Sequence, residues 1–422
     1  MGQLIQALHS DKSMTLHFNC RSCGHQQGEL VLDLGLQPLA NNLPRQEDLS
    51  KPEPRFPLRL AVCHSCWLIQ ILDLVPPVQL FSEYLYFSSF SDMMLRHAKD
   101  ATERYVREFD LNEKNLVVEI ASNDGYLLQN FVRAGVPCLG IEPAANIAKV
   151  AREKGIETVV EFFSENLAKK LAASGKAADL ILGNNVFAHA PDTNDFVSGL
   201  QALLKSKGRI ILEFPYAVDL IEHTEFDTIY HEHVFYFTLI ALQPLFQRNG
   251  LDIFRVEKMQ IHGGSLRLFA CHAGACPVES SVTRLLAEEK LKGLGALPFY
   301  KGFADRVLAL KRDLLNLLEK FRREGKSIAA YGASAKGSTL LNFFGLGCET
   351  LDFVADRSTY KQGRLTPGTH IPIVPSKRLL EKKPDYTLLL TWNFADEIMA
   401  QQKAYRDRGG KFIIPIPQVK II

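Results

Sequence analysis

The sequence predicts an α/β protein in three parts: a small cysteine-bearing module, then two α/β units in series. Three observations predict it. Two Cys-x-x-Cys pairs lie near the start of the chain. From Asn115 onward, short apolar strands alternate with helical stretches. After a long charged-amphipathic stretch, a second set of strands returns. The expected boundaries are 1–76, 77–278 and 279–422.

A chain of 422 residues that is 46 % hydrophobic has material for two or three packed cores. A formal net charge of +2 argues against a nucleic-acid surface or a polybasic membrane patch. No apolar run is long enough to span a bilayer. Met1 to Lys12 lacks the apolar centre of a signal peptide. Cys138, Cys271, Cys276 and Cys348 show no framework spacing, so a reducing, cytoplasmic compartment is expected.

In the first module, Cys20-Arg21-Ser22-Cys23 and Cys63-His64-Ser65-Cys66 flank a loop of 39 residues. Four thiolates in two such pairs suit tetrahedral Zn(II), and Gly24 permits the tight turn of a knuckle. Two disulfides, or four unrelated buried cysteines, are the alternatives. A four-cysteine set leaves no open ligand position, so the metal reads as structural. Gln37 to Asn41 and Lys51 to Pro54 read as loops, and Pro76-Pro77 ends the module.

Ser91 to Phe109 reads as a helix. Leu116 to Ile120, Pro137 to Ile141, Asp179 to Gly183 and Arg209 to Phe214 then read as strands. Helices over Tyr126 to Ala134, Ala144 to Lys154 and Asn194 to Lys205 separate them, the first two stopped by Gly135 and Gly155. This alternation implies a parallel, doubly wound sheet, with Leu251 to Val256 and Ser265 to Cys271 as its late strands. Ser281 to Arg323 is helical except near Pro298. Ser327 to Tyr331, Leu351 to Ala355, Tyr386 to Thr391 and Lys411 to Ile414 read as the strands of the second unit.

The turn after the first central strand, Glu119-Ile120-Ala121-Ser122-Asn123-Asp124-Gly125, joins an acidic strand residue to small and polar residues. Small residues let a backbone approach a nucleoside. About twenty residues on, Glu142 ends the second strand, where a carboxylate accepts both ribose hydroxyls. Gly-x-Gly-x-x-Gly is absent, so NAD fits less well than a ligand with no phosphate at this turn. S-adenosylmethionine (SAM) is such a ligand. Asn184 and Asn185 put polar groups at the carboxyl edge of a further strand, ahead of His189. An ordinary strand-turn-helix is the alternative reading.

Tyr230-His231-Glu232-His233 follows the strand Arg209 to Phe214. Histidine takes a proton near neutrality, glutamate orients an imidazole, and a tyrosine hydroxyl donates to a developing oxyanion. A packed aromatic loop, or a metal on His231 and His233, are the alternatives.

Assembled, these parts resemble the SAM-dependent nucleotide-sugar 3-C-methyltransferases that act on 4-keto-deoxysugars. The resemblance covers nearly the whole chain. It runs from the four cysteines through Tyr84-x-Tyr86-Phe87-Ser88-Ser89, the Glu119 turn, Asn184 to His189 and Tyr230 to His233. It continues through His262-Gly263-Gly264-Ser265-Leu266-Arg267 to Tyr331-Gly332-Ala333-Ser334-Ala335-Lys336-Gly337. One departure is Ala121, where glycine is common.

The resemblance implies a zinc-binding module, a class I SAM methyltransferase domain and a C-terminal Rossmann-like domain for the nucleotide sugar. It implies His233 as the base at C3. Tyr230, Glu232, His189 and Tyr84 surround sugar and enolate. Glu119, Ala121, Asn123, Asp124, Gly125, Glu142, Asn184 and Asn185 hold SAM, while Ser334, Lys336, Gly337, His262 and Arg267 hold the nucleotide sugar. The partners expected are thus a nucleotide-linked keto-sugar, with no nucleic acid and no membrane; oligomeric state is left open. O- or N-methylation of a nucleotide sugar, and a non-enzymatic zinc adaptor, are the competing functions.

Overall fold

In the computed structural model, residues 17–81, 87–261 and 263–422 are described. Met1 to Lys12, Tyr84 with Tyr86, and His262 lie outside the described residues. Strands β1 (Gly28–Pro38), β2 (Arg55–Cys63) and β3 (Ile69–Ile71) form an antiparallel ladder in the first module. The central unit supplies β4 (Val117–Ile120), β5 (Cys138–Ile141), β6 (Glu157–Val159), β7 (Ala178–Asn184) and β8 (Leu204–Pro215). It also supplies β9 (Phe235–Tyr236), β10 (Leu251–Met259) and β11 (Ser265–His272). The last unit supplies β12 (Ile328–Tyr331), β13 (Val354–Asp356), β14 (Ile373–Pro375), β15 (Tyr386–Leu389), β16 (Lys411–Ile414) and β17 (Lys420–Ile421).

The central sheet runs β10-β11-β8-β7-β4-β5-β6. Its inner strands are parallel, and β4 is buried along its whole length, as expected of a strand covered on both faces. The helix Asp92–Glu108 covers one face. Ser91 caps it by accepting from the Met94 N–H, Asp92 and Arg107 suit its two ends, and Met94, Ala98, Ala101 and Tyr105 form its buried stripe.

The wholly parallel expectation needs correction at β11, which runs antiparallel to both β8 and β10. The cause is connection length. Only residues 260–264 join β10 to β11, and a parallel crossover needs a dozen residues or more. Between Gly155 and Asp179 the sequence suggested no element, yet β6 and the helix Glu165–Ala173 lie there. Strand β6 is three residues long and shows one buried residue, Thr158, so it carries no apolar run to read.

The C-terminal sheet is ordered β14-β13-β12-β15-β16-β17, parallel except for β17. Chain direction across the sheet reverses between β12 and β15, the place where such sheets open a crevice at their carboxyl ends.

The first module does not close on itself. Its fourth strand is β9, which comes from the central unit: Ile69 pairs with Tyr236 and Gln70 with Phe235. The cysteine knuckle is also tied to the central unit, with Arg248 and Asn194 donating to the Ser22 carbonyl at 2.7 and 3.0 Å. On its other side, Glu53 accepts the Gly368 N–H at 2.8 Å and Arg364 donates to the Leu43 carbonyl at 3.0 Å.

The thiols of Cys20, Cys23, Cys63 and Cys66 all lie within 4.8 Å of one another, with Cys20–Cys66 at 3.5 Å and Cys23–Cys63 at 3.7 Å. Four sulfurs at roughly 2.3 Å from one Zn(II) would be about 3.8 Å apart, so the set fits that ion. Hydrogen bonds from Cys20 and Cys66 hold the Cys63 thiol below its ordinary value, and Cys20 is pushed up to about 12, chiefly through its hydrogen bond to Cys63. Among the described residues, no other cluster of three or more metal-ligating side chains occurs, His231 and His233 included. No described helix is long and apolar enough to cross a membrane.

Because β9 completes the cysteine module's sheet, metal removal should reach beyond that module. Chelation, or Cys63→Ser, should abolish stoichiometric zinc and remove amide-exchange protection from β1, β2, β3 and β9 together, while β4 to β8 keep theirs. Protection of β9 that survives metal loss would contradict the coupling.

Candidate active site

A cavity of about 570 Å³ opens along the carboxyl ends of β4, β5 and β7 and runs to those of β12 and β15. It brings together residues from all three units: Asn41 from the first, Ala121, Glu142, Asn185, His189, Tyr230 and His233 from the central one, and Ser334 and Lys336 from the last.

At the β4 end the turn is held by unusual backbone. Ala121, Asn123 and Gly125 all have positive φ, at 53°, 50° and 75°. For alanine this left-handed conformation costs about 1 kcal/mol, which gives the physical reason why glycine suits position 121. A side chain at Gly125 would also collide with Ile156.

Glu142, at the end of β5, locks the turn. Its carboxylate accepts the Asn123 N–H at 3.0 Å and the Ala144 N–H at 2.9 Å. Burial pushes its pKa up to about 7 against the pull of those two N–H groups. Glu119 and Asp124 do not line the cavity. Burial, then the Asp124 and Glu142 charges, hold Glu119 well above the ordinary carboxylate range. Asp124 accepts from Lys154 at 3.1 Å. Both carboxylates sit behind the turn and shape it. Asn184 and Asn185 line the wall opposite, Asn185 with φ +54°.

Midway along the cavity, Tyr230 and His233 form one unit. The His233 Nδ1 lies 2.9 Å from the Thr228 carbonyl, which only accepts, so Nδ1 carries the proton. Nε2 is then the basic nitrogen and accepts from the Tyr230 hydroxyl at 2.8 Å. His189 stands edge-on to His233 with ring centroids 4.9 Å apart, and burial holds its pKa down to about 4, so it is neutral. Glu232 accepts from Asn41 at 2.7 Å. His231 points elsewhere: its Nε2 donates to the Pro57 carbonyl at 3.1 Å and its ring packs edge-on against Phe56.

Three units hold this loop. Strand β3 pairs with it, with the Ile71 N–H bonded to the Val234 carbonyl at 3.0 Å. The Val234 N–H bonds the Ala188 carbonyl at 2.8 Å, next to His189. Thr339 of the C-terminal unit donates to the Ile229 carbonyl at 3.0 Å.

At the far end, Ser334 caps the helix Ala335–Phe344 by accepting the Gly337 N–H at 3.0 Å. Gly337 itself packs against Leu390 and does not line the cavity. The Lys336 ammonium sits 4.9 Å above the Trp392 ring, while Trp392 donates to Asp227 at 2.7 Å. Glu225 is pushed up to about 8 by burial, opposed by the Lys336 charge.

Arg267 is not brought to the cavity. It lies on the sheet face under the helix Asp92–Glu108, bonded to Glu213 at 2.8 Å and to His97 at 3.2 Å. Alternation along β11 puts it there. Tyr84 and His262 lie outside the described residues. Asn41 was missed because a loop asparagine 191 positions from Glu232 leaves no local signal. Lys361, Thr391 and Asn393 also line the cavity. Their places after β13 and β15, at carboxyl ends beside the direction reversal, are where a topological rule would have sought them.

This arrangement, a nucleoside-type turn and a fixed imidazole in one cavity, is that of a SAM-dependent methyltransferase. Comparisons agree. Residues 20–81 match the family described as "Putative zinc binding domain", 93–256 match "Methyltransferase domain", and 260–417 match "C-methyltransferase C-terminal domain". The C-methyltransferase NovU of Streptomyces niveus is 38 % identical over 404 residues, covering 96 % of each chain. A ubiquinone biosynthesis O-methyltransferase of Bartonella bacilliformis is 27 % identical over 97 residues, 23 % of this chain and 39 % of that one. The magnesium protoporphyrin IX methyltransferase ChlM of Synechocystis PCC 6803, solved with bound SAH, superposes with a TM-score of 0.35 at 15 % identity. It covers 42 % of this chain and 83 % of that one, and adds no weight at that level. The chain belongs to the C-methyltransferase family and is a SAM-dependent C-methyltransferase acting on a small molecule.

The Glu142 carboxyl has a folded-state pKa of about 7 against an ordinary 4.5. The fold therefore favours its protonated form. That contribution is full below about 4.5 and is lost as pH rises through about 7. The ligand-free protein should show a falling melting temperature from pH 5 to pH 8, and Glu142→Gln should flatten part of that fall in a thermal-unfolding series. Equal slopes in both proteins would contradict the assignment.

Proposed function

We propose that the enzyme methylates C3 of an NDP-4-keto-6-deoxysugar through base-catalysed enolate formation, in deoxysugar biosynthesis. The observation that carries this reading is the Tyr230–His233 unit: an imidazole with its Nδ1 proton held by the Thr228 carbonyl, beside a hydroxyl, in a cavity lined by both larger α/β units. O-methylation needs no carbon base. C-methylation beside a ketone does, because the carbon must first become nucleophilic.

The C4 ketone acidifies the C3 hydrogen. His233 Nε2 takes that proton, and the electron pair of the broken C–H bond moves toward O4. The Tyr230 hydroxyl and the neutral His189 supply polar contacts to the substrate oxygens. Glu232, fixed by Asn41, supports the loop that carries both. Glu142 faces the end of the cavity suited to a ribose, with Ala121, Asn123, Asn184 and Asn185 around it; SAM bound there supplies the electrophilic methyl group. Glu119, Asp124 and Gly125 act behind this turn. Ser334 and Lys336 face the end suited to the sugar nucleotide. Four thiolates hold a structural Zn(II). Tyr84 remains a proposed fourth polar wall and His262 a proposed sugar contact.

His233→Ala should cost roughly 10²–10⁴-fold in methyl transfer and keep SAM affinity. It should also stop any exchange of the C3 hydrogen in deuterated water. Turnover near the wild-type rate would move the base elsewhere, and a product methylated on oxygen would end the reading.

Asn41→Ala should lower turnover about tenfold, the order expected when a charged hydrogen-bond acceptor loses its donor, with SAM affinity unchanged by calorimetry. Unchanged turnover would remove Asn41 from the positioning of the loop.

A further inference from the structure

We propose that Asp227 is a positioning residue for the base: anchored by Trp392 of the C-terminal unit, it aims the Thr228 carbonyl that holds the His233 proton on Nδ1. This deepens the reading above and rests on His233 being the base.

His233 depends on the direction of one carbonyl. Its Nδ1 bonds the Thr228 oxygen at 2.9 Å, and the Tyr236 hydroxyl donates to the same oxygen at 3.3 Å. A peptide plane is rigid, so its direction follows from the residues that flank it. If that plane turned, Nδ1 would lose its acceptor and the proton could sit on Nε2 instead. A neutral imidazole protonated on Nε2 has no free electron pair there to take a proton from carbon.

The flanking residues are seated on the C-terminal unit. Phe226 stacks on Phe344 with ring centroids 5.1 Å apart, Trp392 donates to Asp227 Oδ2 at 2.7 Å, and Thr339 donates to the Ile229 carbonyl at 3.0 Å. The first contact is apolar and the third uses backbone, so both would seat the turn without a carboxyl at 227. Asp227 is fully buried, and a buried carboxyl is costly unless donors meet it. Burial raises its pKa, and the Lys336 charge and the Trp392 bond oppose that rise. A turn that had only to pack would lose nothing by an apolar side chain there. What an apolar side chain could not supply is a directional bond to a fixed indole.

Trp392 is itself held where the cavity is lined. It follows β15, its neighbours Thr391 and Asn393 are part of the wall, and the Lys336 ammonium lies 4.9 Å over its ring. The C-terminal wall of the cavity and the brace of the base therefore share one hydrogen bond.

The test uses the full-length, zinc-replete enzyme carrying isotope-labelled histidine. Long-range proton–nitrogen correlations at alkaline pH read the His233 tautomer, its signal being the one absent from His233→Ala. Wild type should show the proton on Nδ1. Asp227→Ala and Trp392→Phe should each show a mixture of tautomers and lose roughly tenfold in methyl transfer, with SAM affinity unchanged. Asp227→Asn still accepts the indole N–H, so it should keep the Nδ1 signature and stay within about threefold of wild type. In the double variant the two losses should not multiply, because both substitutions remove the same bond. The wild-type signature in either single variant, a loss in Asp227→Asn as large as in Asp227→Ala, or losses that multiply would each overturn the role. If Asp227→Ala does not fold, Trp392→Phe against Asp227→Asn decides by the same readouts. A wild-type product methylated on oxygen, with mixed tautomers in the variants, would end the reaction assignment and leave the Asp227 role standing.

Discussion

Two residues of the central unit, Phe235 and Tyr236, complete a sheet that belongs to the cysteine module, and much of the site depends on that pairing. The loop from Thr228 to Tyr236 carries the imidazole and the tyrosine, and it lies between its two anchors. One is the β3–β9 ladder; the other is the Thr339 bond to Ile229. A free loop between two α/β units would not hold the 2.8 Å Tyr230–His233 contact to a fixed geometry, and these anchors do. The cysteine knuckle is joined to this loop through the same ladder. The sheet fixes the register of β9, which follows His233 directly in the chain.

The two Rossmann-like units repeat one electrostatic device. In the central unit Glu142 accepts an N–H from the turn after the first strand and another two residues beyond itself. In the C-terminal unit Asp356 does the same with Ala333 and Ser358. A second-strand carboxylate thus braces the ligand turn in both. The difference lies in what surrounds each. Near Glu142 the turn is backed by two more acidic side chains, Glu119 and Asp124. Near Asp356 stands the buried ammonium of Lys361, bonded to the carbonyl of the same Ala333 whose N–H Asp356 accepts.

Much of this was legible in the sequence, for identifiable reasons. The cysteine spacing, the acidic residue ending β5 and the Tyr230-to-His233 run are local patterns, and the cavity contains residues from the last two. What stayed hidden depends on distant parts of the chain. Asn41 reads as loop until Glu232 is placed beside it. Arg267 reads as a ligand contact until the pleat of β11 turns it toward Glu213 and His97. The antiparallel sense of β11 was within reach, since a five-residue connection forbids a crossover, but apolar runs alone carry no direction. His231 and His233 are two apart in sequence and do not share a face of the loop, so a shared metal on them had no geometric basis.

The borrowed strand also means that the molecule has no clean seam. Cutting the chain after the first module would leave Phe235 and Tyr236 as a bare apolar edge with unpaired N–H and carbonyl groups, an invitation to edge-to-edge aggregation. The cysteine module alone would lack its outer strand in turn. Recombination that shuffles whole domains would have to carry both pieces together, so this enzyme is inherited as one mechanical unit even though its sequence reads as three.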